Sequence, residues 1–190
     1  GAGGWRLGTF SFPAKLHWLM DAMAAVASET YTSVSAPIQY AAIQAFLCGS
    51  EIENYLSHVR KILALLGKET AAILKNGNIS VNDPTGGFYL FLDFTPLSEK
   101  LVKRGIADGS ILCDRLLDEC GVAILPGVDF NRPAEELSAR LSYVDFDGAK
   151  ALSASYSIPL HEKFLADFLF QYCGNVIEAA EKIVEWGNAE

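Results

Sequence analysis

Residues 84–94, PTGGFYLFLDF, constrain the fold of this chain more than any other segment. After two glycines, aromatic and branched residues fill both alternating faces of the run. A strand apolar on both faces belongs in the interior of a sheet and is expected to be covered on both sides. Helices to cover it are legible on either flank. Ile52, Tyr55, Leu56, Val59, Ile62, Leu63 and Leu66 recur at spacings of three and four, which is one apolar stripe on a long helix. Gly77, after Lys75, offers a left-handed cap for it.

Further along, Asp108 or Ser110 can cap a short helix whose buried face is Leu112, Cys113, Leu116, Leu117 and Cys120, ended by Gly121. Residues 122–125 read as a strand stopped by Pro126-Gly127, and Leu141, Tyr143 and Val144 mark another. Residues 159–186 read as a final amphipathic helix through Leu165, Phe168, Leu169, Tyr172, Val176, Ile177, Ala180, Ile183 and Val184, with Gly174 as a point of interruption. This order predicts an α/β domain over 51–190, a sheet covered by helices.

Residues 1–50 do not belong naturally to that domain. They predict a strand at 5–12, a helix at 13–28, a polar loop, and a helix opened by Pro37 that runs to Cys48 and stops at Gly49. A strand and two helices alone cannot close a core, so this piece is expected to pack on something else. Composition agrees, since 51% hydrophobic and 20% charged residues suit a well-buried globular chain with some surface meant for a partner.

The formal net charge of −8 argues against nucleic acid and anionic lipid as partners. No apolar run approaches the roughly 18–20 residues that span a bilayer, and the glycine-rich start lacks the pattern of a signal peptide. A cytoplasmic protein is therefore expected. Cys48, Cys113, Cys120 and Cys173 form no CxxC pair and read as reduced thiols in or near the core. His17, His58 and His161 have no metal-ligand spacing and read as solvated or capping residues; no metal site is expected. Asp93, Asp129, Asp145 and Asp147 each fit a turn or a strand end, and no nucleophile elbow accompanies them.

Two arginines are candidates for binding. Arg6 is a planar donor fork among Gly3, Gly4 and Gly8, where backbone can approach a ligand closely, a combination that suits phosphate. Arg140 lies on a predicted strand with Ser142 and Val144 on its own face and Leu141 and Tyr143 on the other. Buried, it needs an anionic partner; on the surface, it would pair with Asp145 or Glu136.

Read in order, GAGGWRLG at 1–8, PTGGFYLFLDF at 84–94 and ARLSYVDF at 139–146 resemble the C-terminal half of class I aminotransferases, fold type I enzymes that depend on pyridoxal 5'-phosphate, of the aspartate aminotransferase type. The resemblance implies that 1–50 is the remnant of the large cofactor-binding domain and 51–190 the small C-terminal domain. It implies a parent enzyme that moves an amino group between an amino acid and a 2-oxo acid. By position, Arg6 would contact the cofactor phosphate, and Arg140 the substrate α-carboxylate through two parallel hydrogen bonds. SVSAPIQ at 33–39 would lie near the interface of a homodimer, and PTGGFYLFLDF at 84–94 and GVAILPG at 121–127 would be small-domain strands with scaffold roles.

The lysine that forms the Schiff base with the cofactor would stand a few residues ahead of Gly1, so these 190 residues alone are expected to be inactive, with little or no cofactor affinity and no catalytic residue of their own. Two other readings stay open: a lyase of the same fold, similar to aminocyclopropane-carboxylate synthase, and a degenerate, non-catalytic interaction domain. From 147 to 175 the chain departs from the family's pattern, which passes quickly from the RLS strand to a terminal helix.

Overall fold

The structure, a computed structural model, describes residues 3–164 and 167–189. Its contacts divide the chain into two compact units, Gly1–Leu56 and Ser57–Glu190.

In the first unit a 3-10 turn at Gly3–Trp5 is followed by irregular backbone up to a second 3-10 turn at Ala14–Leu16. The strand expected at 5–12 does not form. A strand needs a neighbour for its N–H and C=O groups, and the sheet of the described residues draws all its strands from 80–142. The two expected helices are present as α1 (His17–Thr30) and α2 (Ala36–Phe46), the latter with Pro37 in its first turn. None of residues 3–56 is buried, and Phe10, Trp18, Tyr40 and Phe46 stand exposed. This unit has apolar helices without a core of their own.

Helix α3 (Ser50–Asn76) forms as predicted, but of the expected stripe only Ile62 and Leu66 are buried; its core side in the second unit runs His58, Ile62, Leu66, Gly67, Thr70, Ala71 and Leu74, while Ile52, Tyr55, Leu56, Val59 and Leu63 are half-buried. Strands β1 (Ser80–Val81) and β2 (Tyr89–Asp93) follow, then helices α4 (Ser98–Lys103) and α5 (Gly109–Cys120), strands β3 (Leu125–Pro126) and β4 (Ser138–Ser142), and helices α6 (Gly148–Tyr156) and α7 (Phe168–Asn188). The sheet is antiparallel in the order β1-β2-β4-β3, with Leu90 opposite Leu141 and Phe91 opposite Arg140.

One sheet face is the core. Leu90, Leu92, Ala139 and Leu141 are buried in a single cluster with Leu66 and Leu74 of α3, Leu112 and Leu116 of α5, and Ile183 of α7. The other face of β2 is open: Tyr89 is 45% and Phe91 38% exposed. The interior position expected for β2 is found, but its cover on both sides is not. Antiparallel sheets can pack one face only, and here the buried helix faces all join the cluster on the Leu90 side.

Local chemistry sets the ends. Asp108 Oδ1 accepts from the N–H groups of Ser110 and Ile111, both at 2.9 Å, and caps α5; Gly121, at φ 69°, ends it in the left-handed conformation. On α5 the expected buried face holds for Leu112, Cys113 and Leu116, but Leu117 is exposed. Burial pushes the Cys113 thiol up to about 12 and the Cys173 thiol up to about 11. Trp186 Nε1 on α7 donates to Glu119 Oε2 at 2.7 Å, and the Arg104 guanidinium lies 4.3 Å over the same indole. The Trp186 bond is the main reason the Glu119 carboxyl titrates below its ordinary range.

At the end of α3 it is Asn78, at φ 62°, that takes the left-handed conformation, not Gly77. Gly77 is required for another reason: a Cβ there would collide with both γ-methyls of Val184 on α7. Gly77→Ala is therefore expected to lower stability by about 1–3 kcal/mol, and Val184→Ala in the same background should return part of the loss. Thermal unfolding of the two variants checks this.

Four further expectations are corrected. The strand at 122–125 is instead the two-residue β3, an edge strand in which Pro126, lacking an N–H, is tolerated because one side needs no partner. The last helix begins at Phe168 rather than 159 and leaves helical geometry at Cys173, one residue before Gly174; Leu165 lies outside the described residues. Helix α6 was not anticipated, because its buried residues Ala151 and Ser155 are too small to give an apolar period; Asp147 caps it through the Lys150 N–H at 3.0 Å. With α6 in place His58 is not solvated. It is 5% exposed, with Nδ1 2.7 Å from Ser155 Oγ and its ring 4.5 Å from that of Tyr156.

All four cysteines are free, with Cys113 and Cys173 buried and Cys120 half-buried. Cys48, expected in or near the core, is exposed because it follows α2 in the unit that has none. Among the described residues no helix is long and apolar enough to cross a membrane, and no cluster of His, Cys, Asp and Glu could hold a metal ion.

Candidate anion-binding site

Arg140 stands in the middle of the open sheet face. In β4, Ala139 and Leu141 point into the core while Arg140 is half-buried and Ser142 exposed, as the alternation predicts. Its cross-strand neighbours are Phe91 on β2 and Leu125 on β3. The Tyr89 ring lies 4.3 Å from its guanidinium carbon, and the Phe130 ring 4.2 Å.

Phe130 reaches this position because β3 runs straight into a 3-10 turn, Gly127–Phe130, closed by Asn131 at φ 61°. The turn sits directly on β4. A Cβ on Gly127 would collide with the Ser138 hydroxyl and press on the Ser138 carbonyl oxygen at 3.2 Å, so only glycine lets the backbone approach so closely. Phe130 then meets Phe91 edge to face, with centroids 6.2 Å apart and planes at 87°.

The acidic partners that sequence offered to Arg140 are engaged elsewhere. Glu136 takes a two-point contact from Arg132, Nε to Oε2 and Nη2 to Oε1, both 2.8 Å. Asp145 Oδ2 accepts from Asn175 at 3.5 Å. Among the described residues no carboxylate pairs with Arg140, and its Nε is buried without an acceptor. A buried charged donor left unsatisfied is costly. A guanidinium backed by rings, with no anion beside it among the described residues, could receive a carboxylate or phosphate.

Beside it on the same face is a cavity of about 370 Å³ lined by Phe91, Asp93, Thr95, Arg132, Glu136 and Ser138. Its charged groups are already satisfied, with Asp93 Oδ1 accepting from the Thr95 N–H at 2.8 Å and Arg132 held by Glu136. Asp147 and Asp145 serve the cap of α6 and the bond to Asn175, so these aspartates form no acid/base pair.

Arg6 belongs to the first unit. It is exposed, at φ 57°, with its N–H donating to the Gly3 carbonyl at 3.2 Å and its Nη1 to the same oxygen at 3.4 Å. Nothing lies within 4 Å of where a Cβ would stand on Gly3, Gly4 or Gly8. A cation beside open backbone fits a phosphate group. In 33–39, Gln39 Nε2 donates to the Val34 carbonyl at 2.6 Å and folds the loop back on the start of α2.

Tyr89 and Phe130 were not singled out from sequence. Finding them requires the strand register, which places Tyr89 diagonally across from Arg140, and the turn after β3.

The model of the family described as "Aminotransferase class I and II" matches residues 1–151. The chain is 30% identical over 141 residues to an aspartate aminotransferase of Bacillus sp. (strain YM-2), covering 74% of the chain and 33% of the relative. It is 31% identical over 145 residues to an aspartate/prephenate aminotransferase of Thermus thermophilus, with 74% and 32% covered. The chain thus spans about a third of the length of these curated relatives. Among solved structures, an aromatic aminotransferase from Pyrococcus horikoshii superposes with a TM-score of 0.62 at 22% identity, covering 97% of this chain and 39% of that one. The shared fold therefore extends beyond residue 151, into the part where the sequence pattern departs.

Proposed function

Because this chain belongs to the class I and II aminotransferase family, we propose that it is the C-terminal part of a pyridoxal-phosphate-dependent transaminase that exchanges an amino group between an amino acid and a 2-oxo acid. In this reading residues 1–50 are the remnant of the large cofactor-binding domain and residues 51–190 the small C-terminal domain. The observation that carries it is Arg140: a guanidinium on an open sheet face, with a buried Nε that has no acceptor and, among the described residues, no carboxylate partner.

Arg140 binds the substrate α-carboxylate by two parallel hydrogen bonds and so fixes which way the reacting carbon faces. Arg6, with its open glycine backbone, holds the cofactor phosphate. Pyridoxal 5'-phosphate, when bound, supplies the electron sink that allows an amino group to be exchanged for a carbonyl. This chain's residues contribute binding and orientation. The exposed apolar side chains of α1 and α2 support packing of the first unit against the rest of that domain and within a homodimer. Four free cysteines support a reducing, cytoplasmic setting.

The test begins with the coding sequence upstream of Gly1, where an in-frame lysine codon a few codons away is expected. Full-length protein should then transfer the amino group of L-aspartate to 2-oxoglutarate, read by product analysis. Elimination products would replace the transaminase by a lyase of the same fold. Absence of the lysine would leave a non-catalytic interaction domain.

A further inference from the structure

We propose that Tyr89 and Phe130 are positioning residues that clamp the Arg140 guanidinium by its faces, so that its in-plane donors stay free for the substrate carboxylate. The inference rests on the reading of Arg140 as the carboxylate anchor, and it explains how that anchor is kept ready.

A cation on a half-buried sheet face needs something to hold it in place. An acidic neighbour would do so, but it would occupy the same donors that the ligand needs and neutralise the charge that attracts it. Aromatic faces stabilise a cation without accepting its in-plane hydrogen bonds. Here the two ring faces lie 4.3 and 4.2 Å from the guanidinium carbon, while Glu136 and Asp145, the carboxylates closest to it in sequence, bond to Arg132 and Asn175. The rings come from separate elements, β2 and the turn after β3, and Phe130 is itself braced by Phe91. Tyr89 is 45% exposed, so packing of the core does not account for an aromatic residue there. Limiting the guanidinium's rotation in advance removes an ordering cost from substrate binding.

The experiment uses full-length protein loaded with cofactor and whichever of L-aspartate, L-phenylalanine or L-alanine is the best amino donor. Tyr89→Leu and Phe130→Leu are each expected to raise KM roughly three- to thirtyfold with kcat little changed, the range a partly desolvated cation–ring contact supports. Tyr89→Phe, which keeps the ring, should restore the wild-type KM. In an Arg140→Ala background the two leucine changes should add nothing, because the group they act through is gone.

Leucine variants with wild-type KM, a Tyr89→Phe variant as weak as Tyr89→Leu, or full effects persisting without Arg140 would each overturn the clamp while leaving Arg140 as anchor. An Arg140→Ala protein with unchanged KM and kcat would overturn the anchor and the clamp together. Should Phe130→Leu fail to fold, as judged by circular dichroism, the exposed Tyr89 pair carries the test alone.

Discussion

Arg140→Ala in the full-length protein is expected to reduce kcat/KM for the amino-acid substrate by roughly thirtyfold to several thousandfold, the equivalent of about 2–5 kcal/mol for losing one partner of a desolvated charge pair. The size follows from the surroundings. Arg140 is half-buried, its Nε has no acceptor, and no carboxylate among the described residues shares it, so a bound carboxylate would be its main electrostatic partner. Arg140→Lys should recover little, because an ammonium on a flexible stem cannot present two parallel donors between the rings. The melting temperature of Arg140→Ala should change little, because loss of the two cation–ring contacts is offset by removal of an unsatisfied buried donor. Steady-state kinetics with thermal unfolding on the same samples separate the outcomes: a fall in melting temperature with unchanged kcat/KM would make Arg140 a structural residue.

Phe94→Ala should be the most damaging change to the fold, at about 3–5 kcal/mol. Phe94 is fully buried just beyond β2, and its backbone N–H donates to the Leu137 carbonyl at 2.8 Å, which ties the end of β2 to the start of β4. Removing the ring leaves a cavity at the junction of the sheet with the helices. Since domains of this size hold only about 5–15 kcal/mol in reserve, denaturant titration should show the midpoint fall to a fraction of its wild-type value. Phe94→Leu, which refills part of the space, should cost clearly less. Similar loss in both variants would mean that ring shape rather than volume is at stake.

The elements whose physics is local were readable in advance. The helix at α3, the Asp108 cap and Gly121 stop of α5, and Pro37 at the start of α2 depend on neighbours within one or two helical turns, and each is found where the pattern puts it, although the buried face of α3 keeps only Ile62 and Leu66 of the expected stripe. Elements whose physics depends on distant residues were misread. The run at 5–12 has the composition of a strand, but among the described residues no strand pairs with it. Residues 148–156 hide a helix because Ala151 and Ser155 bury small side chains, and that helix meets the buried His58 through Ser155 and Tyr156.

The site divides in the same way. By itself the sequence determined that Arg140 sits on a strand, opposite in face to Leu141 and Tyr143, because side-chain alternation is a property of one extended chain. It also placed Arg6 among glycines, and its motifs pointed to the family. Only the tertiary structure decided that the aromatic face of β2 is left open, that Glu136 and Asp145 turn to other partners, and that Tyr89 and Phe130 close on the guanidinium. Strand register and the landing place of a turn are set by packing between segments some fifty residues apart, and no local pattern encodes them.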